Sequence, residues 1–575
     1  SGLLGLKSRR RKPNMPVLED VIIAIFIAAQ CALFFSVTAI PAYLMVLLSG
    51  QAVTAMRVLG YTFLSLPLTA AAIHSLLARA AASAPRWKKQ SRELPRVIVV
   101  GAGFGGLCAA IKFKTMGLQV TIIEKSENIG GTWHFNTYPG SGCDVPSLLY
   151  QFSFAMNPGW TRKWAPQSEI IQYMHRLYDS YDLRKNVKLN TEVESAQFDE
   201  KTGTWRVKCN ESGNSTELLC DIVVTAVGQL SAIQIPPIPG TDTFEGDSFH
   251  AARWPKGYDL QGRRVAVIGA AASAVQIVPA IVDKVKTLSV FQRTPSYIVH
   301  KRDFVVPAWQ RFLYRFMPIT QHMYRAAIWL LGELFFLSFA TRGNLNKSMG
   351  TKMGLEALQE QVKDPELAKK LTPDFDFMCK RTLLSSEYYP ALQRKNAELV
   401  ADKIEKITKV GIVTADGKTR EVDTIVFATG FKSTEFLSPM TFVGTDRSSD
   451  LNKSWAGSPC AYLGMASPGF PNLFILYGPN TNLGHSSILF MLECQVNYIA
   501  QALAYMVESG AKSLDVRRDV MDEYKKTTQE KLSKLVFTSS CNSWYRAKNG
   551  EIVNNLATGT FRYFLETRRF RAADY

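Results

Sequence analysis

The chain has 575 residues, 47% hydrophobic and 20% charged, which suits a globular protein of about three or four domains and excludes a disordered or collagen-like one. Its nine cysteines include no Cys-x-x-Cys pair and its seven histidines no His-x-x-x-His pair, which argues against a zinc ribbon, a thioredoxin-type pair, a dense disulfide framework and a helical metal site. The net charge of +18 is uneven: residues 1–92 hold eleven Lys and Arg against Glu19 and Asp20, a net +9, so the remainder is mildly basic and no nucleic-acid partner is expected.

The N-terminal residues are apolar in two blocks. Val21–Leu48 and Val58–Ala78 carry no charged residue. Both reach the length of about 20 residues that a membrane span needs. Basic clusters flank the pair, KSRRRK before and RWKKQSR after, while the link Ser49–Arg57 carries a single charge. Lys and Arg mark the cytoplasmic side, and two basic flanks on one side require an even number of crossings. The preferred expectation is an α-helical transmembrane hairpin in a lipid bilayer, with the large C-terminal region in the cytoplasm. One span followed by an interfacial helix, and a buried helical hairpin, stay open. Ala80–Arg92 reads as a basic linker.

Pro95–Lys125 then gives a strand at Val97–Val100, the turn Gly101-x-Gly103-x-x-Gly106, a helical stretch, and a strand Val120–Ile123 ending at Glu124. Such glycines allow a tight turn and bring a pyrophosphate to a helix N-terminus, where N–H groups and the dipole favour anions. Glu124, 23 residues after Gly101, can accept from a ribose hydroxyl. Arg263–Arg293 repeats the pattern with the turn Gly269-Ala270-Ala271-Ala272-Ser273-Ala274. Ala271 puts a Cβ near the pyrophosphate path, which weakens the match. Counting 23 residues from Gly269 reaches Gln292, followed by Arg293 and Thr294. Here a cation replaces the acid, and Arg holds a 2′-phosphate that a carboxylate would repel. The first fold is therefore expected to bind FAD, and the second NADPH through Gly269, Ser273, Arg293 and Thr294. Ile222–Gly228 and Thr424–Gly430 suit crossings between the two domains. The fold class expected is α/β: two Rossmann-like dinucleotide-binding domains with a helical insert, preceded by the hairpin.

Between the two folds lies Phe244-x-Gly246-x-x-x-His250-x-x-x-Trp254-Pro255. With it, residues 95–575 resemble the class B flavoprotein monooxygenases, and within them the type I Baeyer–Villiger monooxygenases. Three other segments resemble the family: Gly130-Gly131-Thr132-Trp133 through Tyr138-Pro139-Gly140 to Cys143-Asp144; Cys379-Lys380-Arg381 followed by Glu387-Tyr388-Tyr389; and Tyr477 to His485. The resemblance implies that Arg381 is the active-site arginine with Asp144 as its carboxylate partner. It also implies that Thr132 and Trp133 lie at the flavin, that Lys380 joins Arg293 at the 2′-phosphate, and that His250 couples domain movement to NADPH handling. The implied reaction converts a ketone to an ester or lactone with O2, through a flavin C4a-peroxide whose anionic form a fixed cation favours. An N- or S-oxygenase, a flavin NADPH reductase and an inactive flavoprotein scaffold are the alternatives.

The resulting division is a membrane segment and linker at 1–92, a FAD domain at 93–235 and 411–575, an NADPH domain at 236–304 and 378–410, and a helical insert at 305–377. Within the insert, Ala326–Ala340 is short for a span and contains Glu333. It reads as a core or pocket-lining helix, or as a surface that touches a membrane. Homo-oligomerisation is left open.

Overall fold

The computed structural model describes residues 94–341, 344–446, 450–539, 541 and 543–575. The expected hairpin at 21–48 and 58–78 and the linker after it lie outside these residues. Among the described residues, no helix is long and apolar enough to cross a membrane.

Arg96–Val100, Gln119–Ile123, Val187–Lys188, Ile222–Thr225 and Leu473–Ile475 form one parallel sheet. Arg96–Val100 lies at its centre, between Gln119–Ile123 and Ile222–Thr225. The near-continuous Val and Ile runs follow from burial on both faces. Val97 and Val99 pack toward the helices Phe104–Thr115 and Ile488–Ser509. Ile98 and Val100 pack on the other side, against Trp205 and Phe442. Those two belong to an antiparallel sheet of Thr191–Asp199, Thr204–Glu211 and Asn214–Cys220, joined by Thr441–Val443.

The second parallel sheet repeats the plan. It contains Asp247–His250, Arg264–Ile268, Thr287–Phe291, Ala397–Val400 and Thr424–Phe427, with Arg264–Ile268 in the centre. Val265 and Val267 pack on the helix Ala272–Ile281, while Ala266 and Ile268 meet Ile412 and Val422 of an antiparallel ribbon. This membership corrects one expected boundary. Thr424–Phe427 belongs to the second sheet, so the chain returns to the first domain after Phe427 and not at 411. A four-residue apolar strand carries no local signal of the sheet it will join.

The segment between Thr287–Phe291 and Ala397–Val400 is helical, with helices Ala308–Phe316, Pro318–Phe339, Asn344–Gln361 and Pro365–Leu371. Pro318–Phe339 is held by two buried charges. Arg325, fully buried, donates to the carbonyls of Leu148 at 3.0 Å and Gln151 at 2.7 Å, and its charge faces Glu493 at 3.9 Å. Glu333 accepts from the Thr560 N–H at 2.9 Å and the Phe561 N–H at 3.3 Å, capping the helix Thr560–Thr567. A lone buried charge costs several kcal/mol, which these partners offset. Gly332 permits the contact, because a Cβ there would sit 2.4 Å from the His485 carbonyl oxygen. The buried face of this helix therefore ties the insert to the first domain. Its opposite face leaves Leu331, Leu334 and Leu337 exposed.

Candidate active site

The glycines of the first turn answer three different demands. Gly101 has φ +105°, and a Cβ there would lie 2.7 Å from the Ala226 carbonyl oxygen of the neighbouring crossing strand. A Cβ on Gly106 would lie 1.9 Å from the Gly101 carbonyl oxygen, so this glycine serves helix–strand packing. Gly103 differs: the nearest atom to its added Cβ is the Gly131 Cα at 3.6 Å. It leaves room over the N-terminus of Phe104–Thr115, whose first turn holds no acid. That cradle fits a pyrophosphate. Glu124 is buried and accepts from the Ala102 N–H at 2.8 Å, the Ser126 N–H at 3.0 Å and the Ser126 hydroxyl at 2.8 Å. A carboxylate has about four acceptor positions, so one remains for a ribose hydroxyl. The loop at Gly130-Gly131-Thr132-Trp133 closes over the same turn. The Gly130 N–H donates to the Ala102 carbonyl at 3.0 Å, and the Trp133 indole N–H donates to the Tyr150 hydroxyl at 3.0 Å.

The second turn keeps the backbone logic of the first. Gly269 has φ +119°, and a Cβ there would lie 2.3 Å from the Ala428 carbonyl oxygen, matching the Gly101–Ala226 contact. Ala271 stands at the helix N-cap with φ −97°, close to the −79° of Gly103, and its side chain is exposed. The turn therefore forms without the second glycine, and only a methyl group is added beside the anion path. Beyond the strand Thr287–Phe291, Arg293 is exposed and Thr294 half-buried. Lys380 lies 4.5 Å over the Phe375 ring. Burial lowers its pKa, Asp374 opposes that shift, and the nearby charge of Arg293 adds to it. Among the described residues neither cation forms an ion pair, which suits a site for a phosphate dianion. Arg293→Ala with Lys380→Ala is expected to erode a preference for NADPH over NADH by raising the Michaelis constant for NADPH. One charge-assisted contact is worth roughly 1.5–3 kcal/mol, or about ten- to hundredfold. Steady-state kinetics with both nucleotides measures it, and an unchanged ratio would move the 2′-phosphate site elsewhere.

The two nucleotide folds meet at the loop 138–144. Gln276, on the helix Ala272–Ile281, accepts from the Tyr138 hydroxyl at 3.0 Å and donates to the Gly142 carbonyl at 2.9 Å. Gly140 (φ +80°) lets that loop approach, since a Cβ there would fall 2.4 Å from the Gln276 backbone oxygen. Ser273, half-buried, stands one turn before Gln276 on the same helix. Gln276 had no signal in the sequence, because an amide in a helix reads as an ordinary surface residue.

The Phe244–Pro255 segment sits at the crossings. Gly246 is required sterically, because a Cβ would meet the Asp423 carbonyl oxygen at 2.5 Å and the Phe244 ring at 2.6 Å. The buried His250 accepts the Ala252 N–H on Nδ1 at 3.1 Å, which assigns the proton to Nε2, and Nε2–H donates to the Gly430 carbonyl at 3.0 Å. Burial lowers its pKa, partly opposed by that carbonyl, so the ring is neutral. The same carbonyl accepts the Gln234 N–H at 2.9 Å, and the Lys432 N–H donates to the Ala232 carbonyl at 2.9 Å. Both crossings thus run side by side, with His250 latched to them. Trp254 packs edge-on against Phe249 at 5.1 Å, and Arg253 lies 4.3 Å over Phe135 of the first domain.

Arg381 and Asp144, 237 residues apart, come together near this junction. The guanidinium donates through Nε at 3.0 Å and Nη2 at 2.5 Å to Asp144 Oδ2, and through Nη1 at 3.2 Å to the Leu483 carbonyl. Three distant segments therefore fix one cation. The side chains are 28% and 29% exposed, so the pair is reachable without being solvated like a surface ion pair. Burial raises the pKa of Asp144, but the charge and hydrogen bonds of Arg381 outweigh it and hold the carboxyl below its usual range. Asp144 in turn raises the pKa of Arg381 against burial. Both stay charged at every working pH. The phenols of Tyr477 and Tyr545 feel the same cation. Tyr545 went unnoticed in the sequence, as did the disulfide Cys379–Cys541, which spans 162 residues and tethers the residue before Lys380. Neither has a spacing that could have revealed it.

Residues 94–330 match the flavin-binding monooxygenase-like family. A Baeyer-Villiger monooxygenase of Streptomyces coelicolor is 39% identical over 490 residues, which is 85% of this chain and 93% of that one. A closed crystal structure of cyclohexanone monooxygenase is similar with a TM-score of 0.74 and 30% identity, covering 83% of this chain and 97% of that one. A crystal structure of OTEMO in complex with FAD and NADP has the same TM-score and coverage at 27% identity. With the twin nucleotide turns and the latched fingerprint, this similarity shows that the chain belongs to the Baeyer–Villiger monooxygenases of the flavin-binding monooxygenase-like family.

Proposed function

We infer that the protein is an FAD- and NADPH-dependent monooxygenase that uses O2 to convert ketones to esters or lactones. The observation that carries this reading is the Arg381–Asp144 pair, a fixed cation at the junction of two nucleotide folds. When bound, FAD supplies the electron transfer from NADPH to O2. The protein's own residues bind, orient and stabilise. Gly101, Gly103, Gly106, Glu124, Thr132 and Trp133 hold FAD, while Gly269, Ser273, Arg293, Thr294 and Lys380 hold NADPH. Arg381 stabilises negative charge that develops on oxygen as the substrate carbonyl is attacked, and it needs no proton transfer to do so. Asp144 and the Leu483 carbonyl keep the guanidinium aimed, so the charge need not reorganise during the reaction. His250 is neutral and bonded on both ring nitrogens, which suits a hinge residue better than an acid or base.

The charge-free runs at 21–48 and 58–78, with their basic flanks, support membrane anchorage with this catalytic region on the cytoplasmic side. The reaction is tested by incubating detergent-solubilised protein with NADPH, O2 and either a ketone panel or a sulfide and an amine. Esters or lactones are the expected main products. Sulfoxide or N-oxide without ester would assign the chain to heteroatom oxygenation.

A further inference from the structure

The helix Ala308–Phe316 turns its apolar side outward. Trp309, Phe312 and Phe316 follow the i, i+3, i+7 spacing of a single helix face, and they are 65%, 59% and 64% exposed. The Phe312 and Phe316 rings touch at a centroid distance of 4.5 Å, tilted by 40°, so the face is continuous. Val305 before the helix and Met317 and Ile319 after it are also exposed. Tyr314, on the inner side, is buried and packs against the core of the first domain. A globular surface rarely leaves this much contiguous apolar area in water unless something covers it.

The surroundings identify the cover. Arg315 is exposed on the same helix, Arg311 is half-buried there and Arg302 is exposed shortly before it, while the one acid between residues 302 and 319, Asp303, is bound by Arg162 at 2.8 Å. Aromatic side chains on one face and cations beside them match a helix lying in a headgroup region, with the apolar face sunk about 5–10 Å. Cationic residues there are attracted to anionic lipids. A second copy fits less well, because a twofold contact through this face would bring Arg311 and Arg315 toward their own equivalents. The chain ahead of Leu94 also carries two charge-free runs of bilayer-spanning length, so a membrane is the surface this region is expected to meet.

We propose that Val305–Ile319 is an in-plane membrane-docking surface, with Trp309, Phe312 and Phe316 among the lipid chains and Arg311 and Arg315 at anionic headgroups. This contact belongs to the catalytic region itself and is separate from the N-terminal runs. It also does not depend on which reaction the enzyme catalyses.

The test uses the full chain in a Cys31→Ser, Cys460→Ser background, since the other free thiols among the described residues are buried. An environment-sensitive fluorophore is attached through Phe312→Cys, and separately through Lys201→Cys in an exposed turn as a control. The protein is reconstituted into phosphatidylserine–phosphatidylcholine vesicles. At Phe312 the expected result is a blue shift, quenching by doxyl lipids that is stronger for shallow than for deep labels, and protection from iodide. The shift should shrink without phosphatidylserine and in Arg311→Glu, Arg315→Glu protein. At Lys201 iodide should quench and lipids should not. Trp309→Cys supplies a second site if Phe312→Cys fails to keep its flavin, with the same outcome expected. Iodide quenching at the patch would overturn the proposal. So would protection from both quenchers, which would place the N-terminal segment or a second copy on the patch.

Discussion

Arg381→Ala is expected to separate cofactor oxidation from product formation. The cation is needed where negative charge develops on oxygen, and that charge appears only after NADPH has delivered its electrons. NADPH should therefore still bleach the flavin under anaerobic conditions. In air, NADPH and O2 should be consumed and hydrogen peroxide released, while ester formation falls by about 10²–10³, the usual cost of one oriented electrostatic stabiliser. Asp144→Ala should show a weaker form of the same uncoupling. It removes two of the three hydrogen bonds that aim the guanidinium and leaves the charge in place. Flavin bleaching, hydrogen peroxide yield and ester yield, measured on each variant, separate the two half-reactions. Near-normal ester formation by Arg381→Ala would take this residue out of the mechanism.

Gly106→Val is expected to give protein without flavin. Its Cβ would fall 1.9 Å from the Gly101 carbonyl oxygen, a backbone atom that cannot rotate away. The helix Phe104–Thr115 must then move off the strand Arg96–Val100, and the phosphate cradle opens. Gly101→Val should act alike, through its φ of +105° and the Ala226 carbonyl 2.7 Å from the added Cβ. Gly103→Ala is the informative contrast. Its Cβ meets no atom closer than 3.6 Å, so the apoprotein should fold normally and yet hold FAD less tightly. Flavin absorbance per protein and far-ultraviolet circular dichroism distinguish the cases. Full flavin occupancy in Gly106→Val would contradict the assignment of the first turn.

Local chemistry was legible in the sequence where the backbone itself must perform it. The two glycine turns, Glu124 after the first and Arg293 after the second each stand at a fixed offset along one chain segment, so spacing reveals them. Arg381 and Asp144 became readable only through family resemblance, since 237 residues separate them and an Arg beside a Lys otherwise reads as solvated surface. What stayed hidden is the set of partners that act through space. Gln276 bridges the two domains, the Leu483 carbonyl aims Arg381, and Cys541 reaches Cys379, all without any local pattern. Glu333 shows the reverse case. Within an apolar stretch this charge spoke only against a membrane span, yet it caps another helix 227 residues away. Sheet membership was hidden for the same reason: Thr424–Phe427 has the composition of any buried strand, and only its neighbours decide where it belongs.

If the chain places an oxygen atom from O2 beside a ketone carbonyl, isotope labelling follows that atom into the product. Full-length protein is supplied with NADPH, a cyclic ketone and isotopically heavy O2, and the lactone is analysed by mass spectrometry. The expected product carries one heavy atom, located in the ring oxygen, with the carbonyl oxygen unlabelled. A lactone without the heavy isotope, or consumption of NADPH and O2 that yields only hydrogen peroxide with every ketone offered, would contradict it.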